Sequence, residues 1–332
     1  MHMYTEDDLN SAIQAGILTE ETAAAFRAHV VQVQSAPAVD EEHFRLVTGF
    51  NDIFVVIACA LLLISVGWIG ASVAPWVGPL AAAAAAWALA EFFVRRRRMA
   101  LPAIVLLLAF VGCVFGAAAL LLERQESHFV IASALAAAAA WLHWVRFRVP
   151  ITVAAGAAAV TGCAAAVLLM TTPEAGNWIS AISFIAGIAV FALAMRWDMA
   201  DRQRQTRKSD VAFWLHLLAA PLIVRPIFSA LGVLEGTAEM WQAIAVVGLY
   251  VAIALVSLAI DRRALMVSAL IYVLYTFSAL LSQYGGVSLS FAVTGVAIGS
   301  ALLLLSAFWH VSRAFVLGRL PPAVQGRLAP SR

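Results

Sequence analysis

Ten apolar stretches divide most of this chain, at 52–72, 75–94, 101–122, 129–145, 150–171, 177–196, 211–232, 240–260, 264–283 and 287–309. Each approaches the roughly 20 residues that cross about 30 Å of hydrocarbon at about 1.5 Å rise per residue. With 63% hydrophobic and 12% charged residues in 332, the chain carries more apolar surface than one water-soluble core could hide. Inside a bilayer, unsatisfied backbone groups leave helices or closed barrels as the spanning forms, and segments of this length specify helices. The expectation is an all-α fold, a polytopic bundle of about ten transmembrane helices.

The basic residues set its orientation. If the N-terminus is cytoplasmic, the gaps after even-numbered spans hold Arg95 to Arg98, then Arg146 and Arg148, then Arg196, Arg202, Arg204, Arg207 and Lys208, then Arg262 and Arg263. The tail adds Arg313, Arg319, Arg327 and Arg332, which brings these regions to 17 of the 21 basic residues. Adding or dropping one span would move a basic cluster to the wrong side, so the positive-inside rule supports ten spans with both termini cytoplasmic. Trp68, Trp76, Trp178 and Trp241 fall near outer ends, and Trp141, Trp144, Trp197 and Trp309 near inner ends, where amphipathic rings prefer to lie. Arg95 to Arg98 read as a topology anchor in preference to an anionic-lipid or nucleic-acid patch. Cys59, Cys113 and Cys163 all lie within spans and read as reduced apolar fillers.

Three parts follow: an acidic cytoplasmic hairpin and linker over 1–44, the bundle over 45–310, and a basic cytoplasmic tail over 311–332. Residues 1–44 hold eight acids against Arg27 alone and lack the apolar core of a signal peptide. An apolar stripe from Leu9 ends at Gly16, and Thr19 followed by Glu20 and Glu21 starts a second helix whose acids suit the positive end of its dipole. The acidic charge has the wrong sign for phosphate, which excludes nucleic acid as a partner. So small a hairpin buries too little to stand alone, which points to self-association or a cytoplasmic protein partner through residues 5–34.

The segment LNSAIQAGILTEETAAAFRAHV at 9–30, followed by EEHFRLVTGFNDIFVVIACALLL at 41–63, resembles bacterial DUF2157-type membrane proteins. In these a Gly-Ile-Leu-Thr-Glu hairpin precedes a many-span region. The resemblance covers about the first 63 residues, implies a multi-pass protein of the bacterial cytoplasmic membrane, and supplies no catalytic residues. The ten spans with cytoplasmic ends also give a looser likeness to drug/metabolite-type transporters, from which the acidic leader departs.

Charged groups in the hydrocarbon mark functional candidates. Asp52 and Glu91 lie at cytoplasmic span ends, where Glu91 reaches Arg95 four residues on; His143 and His310 read as interfacial. The seventh span is different. His216 lies about 8 Å inside the inner boundary, Arg225 nine residues deeper, and Pro221 and Pro226 each remove a backbone donor, so a kinked or opened helix is expected. One reading makes this a site in which Arg225 holds a small anionic solute, His216 exchanges a proton, Pro221 opens the helix, and Tyr272 and Tyr275 supply polar lining with Thr276, Ser288, Ser290 and Thr294. The other is a bent helix whose Arg225 snorkels to Glu174, Glu235 or Glu239.

Elsewhere the spans read as packing elements. Gly112-x-x-x-Gly116 and Gly295-x-x-x-Gly299 allow close backbone approach. The basic turns RRRRMALPAIVLLL, RFRVPITVAAGAAA and DRRALMVSALIYVL read either as a repeated helical hairpin or as convergent composition. No metal-binding, nucleotide-binding or nucleophile motif is present, so no catalytic residue, metal or cofactor is assigned. An enzyme would need the outer acids Glu123, Glu126, Glu174, Glu235 and Glu239 to converge on Arg225. Two functions stand beside each other: solute transport or sensing at the seventh span, and a non-catalytic scaffold working through the hairpin.

Overall fold

The computed structural model describes residues 11–26, 50–204, 206–232 and 240–283, and in the C-terminal part residues 296, 299–300, 303, 306–326 and 328. The chain forms two compact units, Met1–Phe44 and Arg45–Arg332. Among the described residues there is helix and no strand.

In the first unit, Gly16 adopts φ +70 after a short helical turn, a conformation that costs glycine little. The Thr19 hydroxyl accepts from the Thr22 backbone N–H at 3.2 Å, capping the next helix. Ala23 is fully buried, whereas the apolar side chains of Ile17, Ala24 and Phe26 face outward.

The second unit contains α1 (Phe50–Ala71), α2 (Val77–Ala90), α3 (Ala100–Leu121), α4 (His128–Phe147), α5 (Ile151–Thr171), α6 (Ile179–Met199), α7 (Arg207–Ala230), α8 (Met240–Ile260) and α9 (Ala264–Gln283). A helix α10 follows at Trp309–Leu317. Among the described residues seven helical stretches, namely α1, α2 with the turn that continues it to Arg96, and α3 to α7, are long and apolar enough to cross a membrane, as a helical multi-pass membrane protein requires. The expected tenth span, 287–309, lies almost wholly outside the described residues.

Helices α1 to α5 enclose one apolar cluster. His143, expected at the interface, is fully buried there against Trp87, Phe110 and Phe147, with ring centroids 6.1, 6.0 and 4.6 Å away. Its helix continues for another turn, so the ring enters the bundle before the chain leaves it. Helix α2 ends in a π turn, Glu91–Arg96, in which the Arg97 N–H donates to the Phe92 carbonyl five residues back. Glu91 pairs with Arg95 at 3.4 Å, yet its main partner is Arg146 of α4, which donates to both carboxylate oxygens at 2.7 and 3.0 Å.

Close helix approach occurs away from Gly112 and Gly116, and Gly295 of the other expected pair lies outside the described residues. A Cβ on Gly112 or Gly299 would meet nothing within 4 Å, and one on Gly116 would meet only the Pro79 Cβ at 3.8 Å. A Cβ on Gly78 would instead collide with the Gly67 carbonyl, and one on Gly187 would lie 2.9 Å from the Leu222 backbone. Spacing identifies small residues, while tertiary placement decides which of them face a helix.

Gly187 brings α6 against α7 where Pro226 leaves the Leu222 carbonyl without its usual N–H donor. The Ser183 hydroxyl donates to that oxygen at 3.3 Å. Helix α7 consequently runs unbroken from Arg207 to Ala230 through both prolines.

Candidate functional site

The arginine-rich end of α6 to α10 is a buried network organised by two carboxylates. Asp198 lies in the last turn of α6, where a helix dipole disfavours an anion unless cations meet it. Arg262, in the turn between α8 and α9, supplies one, donating to Asp198 from Nε at 3.3 Å and through a close Nη2–Oδ1 contact. The same Nη2 donates to the Ser209 carbonyl at 3.3 Å. Burial pushes the Arg262 guanidinium down to about 9, which leaves it a cation at neutral pH beside its carboxylate.

His216 approaches Asp198 from α7, with Nε2 at 2.8 Å from Oδ2. Because the carboxylate can only accept, Nε2 carries the proton. Nδ1 has no hydrogen-bond partner among the described residues, and the ring sits edge-on to Phe191 at 5.1 Å. His216 is fully buried in this arrangement.

The second carboxylate, Asp261, accepts from Arg204 at 2.8 Å and from the Trp309 indole at 2.7 Å, with Arg313 3.5 Å away. Arg204 also donates to the carbonyls of Ile260 and Asp261 at 3.1 and 3.2 Å, so one guanidinium closes the end of α8. Arg263 lies over the Trp309 ring at 4.5 Å. Arg202 donates twice to the Leu328 carbonyl, and Leu328 packs beside Ala220, Ile260 and Leu265. Here C-terminal residues expected in a tail are seated on the bundle. With both carboxylates engaged by arginines, this network can join helices, but neither carboxylate is free to act as a nucleophile or base.

The residues of the expected seventh-span site do not come together. Nine residues at about 100° each place His216 and Arg225 on opposite sides of α7. His216 faces the core, whereas Arg225 and Pro221 are exposed. Tyr272 stacks on Phe228 at 4.8 Å, and Tyr275 is 43% exposed. The Thr276 hydroxyl is spent on the Tyr272 carbonyl. Ser288, Ser290, Thr294, Glu235 and Glu239 lie outside the described residues.

A cavity occurs elsewhere, in a groove of about 760 Å³ between α3, α4 and α5. Leu108, Gly112, Ala155, Ala159, Gly162 and Ala166 form much of its wall, Ser133 adds one hydroxyl, and Glu126 stands in the lining from the α3–α4 loop. The small side chains make the space: alanine and glycine on α5 leave α3 and α4 unfilled opposite them. Among the described residues no cluster of histidine, cysteine and carboxylates could hold a metal.

Asp198, Asp261 and the groove have no counterpart among the expected site residues. A usable signal existed for the aspartates: they interrupt the basic turns, and acids contribute little to the positive-inside rule. The chain matches no family model, and no curated protein or solved structure is significantly similar to it. The resemblance to DUF2157-type proteins therefore rests on the N-terminal motif alone.

Proposed function

We propose that this is a solute-handling protein of the bacterial cytoplasmic membrane, with both termini cytoplasmic, that takes a membrane-dissolved small molecule into the α3–α5 groove for transport or sensing. The groove volume carries this reading, since about 760 Å³ falls in the range of small-molecule sites and an apolar wall suits a ligand arriving from the bilayer. The Asp198 and Asp261 network holds the other half of the bundle shut at its arginine-rich end, a role consistent with an inner closure. The DUF2157 resemblance fits such a protein without specifying its ligand.

The test uses purified full-length protein and three labelled probes of similar bulk: tetraphenylphosphonium, tetraphenylborate and triphenylphosphine oxide. At least one should bind saturably, and the groove-filling variants Gly162→Leu and Ala166→Phe should each abolish that binding while eluting as folded protein. Binding unaffected by both, or absent for all three probes, would overturn the groove reading. Arg225→Ala provides the contrasting arm, because loss of binding there would return the site to the seventh helix.

A second reading has its own observation. Ile17 of the hairpin is 77% exposed, which gives that unit an outward apolar side chain suited to protein contact. Deleting residues 1–34 would then abolish self-association or partner capture and leave probe binding intact. Unchanged association would remove the scaffold role.

A further inference from the structure

We infer, resting on the groove reading above, that the ligand is an amphipathic cation with an aromatic or otherwise apolar body. The groove wall carries one charged side chain, and it is an acid. Glu126 lines the space, while Arg124 of the same loop and His128 at the start of α4 do not. Among the described residues no ion pair engages Glu126, so its charge is available to a ligand.

Two phenylalanines line the same groove. Phe115 of α3 and Phe129 of α4 both line the groove, with rings inclined by 15° and centroids 6.5 Å apart. Phe129 also packs against the His128 ring at 4.0 Å, and the ring surface the pair leaves to the groove carries the negative part of the quadrupole, which attracts a cation. A carboxylate and an aromatic wall in one apolar cleft favour a delocalised or quaternary cation over an anion, which would meet repulsion from Glu126 with no basic side chain among the lining residues to offset it. A neutral lipid chain would fill the apolar part but would leave Glu126 without a role.

Size and depth agree with this chemistry. From Glu126 the lining descends through Ser133 to Ala136 on α4, about ten residues or 15 Å along a helix. A ligand could keep its charge near Glu126 and lay its apolar body along Gly162 and Ala166. Because the acid is exposed, the charge contributes selectivity more than affinity.

Tetraphenylphosphonium and tetraphenylborate separate these contributions, being nearly the same shape with opposite charge. The wild-type protein in neutral detergent should bind the phosphonium saturably and the borate more weakly. Glu126→Gln should weaken phosphonium binding by roughly fivefold, as expected for a solvent-exposed ion pair worth about 1 kcal/mol, and Glu126→Lys should reverse the order of the two probes. Equal binding of both probes by the wild-type protein, or undiminished phosphonium binding by Glu126→Gln, would overturn the cation assignment. Borate binding that is lost in Gly162→Leu would keep the groove and remove only its preference for cations. No probe affected by groove filling would remove the groove itself.

Discussion

Replacing Asp198 by Asn tests whether the buried network holds α6, α7 and the α8–α9 turn together. Asp198 faces Arg262, whose side chain is 1% exposed, and its own side chain is 14% exposed, so surface screening does little here. Asn removes the charge and leaves one acceptor oxygen where two carboxylate oxygens served Arg262 and His216. Breaking a buried ion pair from one side costs about 3–5 kcal/mol, and because Arg262 keeps its bond to the Ser209 carbonyl the lower end of that range is expected. On the scale of about 2–4 °C per kcal/mol for chains of a few hundred residues, the unfolding midpoint should fall by on the order of 10 °C. Tryptophan fluorescence during heating in detergent reads this, since Trp197, Trp214 and Trp309 lie on the elements concerned. The paired substitution Asp198→Leu with Arg262→Met should recover much of the loss, because removing both charges also removes their desolvation cost. An Asp198→Asn protein that melts with the wild type, or a double variant no better than the single, would refute the reasoning.

Other outcomes follow from the α6–α7 contact. Ser183→Ala should cost about 1 kcal/mol by orphaning the Leu222 carbonyl, and should become nearly neutral in a Pro226→Ala background that supplies an N–H in its place; a double-mutant cycle in chemical unfolding measures this. Gly187→Val should destabilise by about 1–3 kcal/mol, because even its Cβ would lie 2.8 Å from Ile223 Cγ1 and 2.9 Å from the Leu222 backbone; thermal unfolding checks it.

Helix positions were legible because a bilayer demands long apolar segments and strands the cations between them. The expected seventh span, 211–232, overlaps α7 at Arg207–Ala230, and the eighth and ninth coincide with α8 and α9. Facing was harder to read. Gly112 satisfies a small-residue motif but borders a groove, and Arg225 is nine residues from His216, a spacing that separates their faces. Arginines counted only as orientation signals hid their second use. Arg204, Arg262 and Arg313 lie in the turns and tail that topology assigns to the cytoplasm, yet each is buried and meets an aspartate. Charge pattern reports the side of the membrane, while ion pairing depends on which turns the bundle places next to each other.

The tight turns at the arginine-rich end allow those uses to be separated by one substitution. Arg98, Arg148, Arg204 and Asp261 all adopt left-handed backbone, with φ of 54, 56, 55 and 58. Each carries a strain of about 1 kcal/mol or more that glycine would relieve. The strain is common to the four, so the side chain decides the sign of a change to glycine. Arg98 is exposed, and Arg98→Gly should stabilise the folded protein by up to about 1 kcal/mol. Arg148 lies over Trp144 at 5.4 Å, an interaction of about 0.5–1 kcal/mol that offsets the relief and brings Arg148→Gly close to neutral. Arg204→Gly removes a buried pair and two carbonyl caps, and should destabilise by at least about 2 kcal/mol despite the same relief. Unfolding midpoints of the three variants should therefore rank Arg98→Gly above Arg148→Gly above Arg204→Gly. If Arg204→Gly gains stability as Arg98→Gly does, its ion pair contributes nothing net, and the turns are held by backbone and lipid alone.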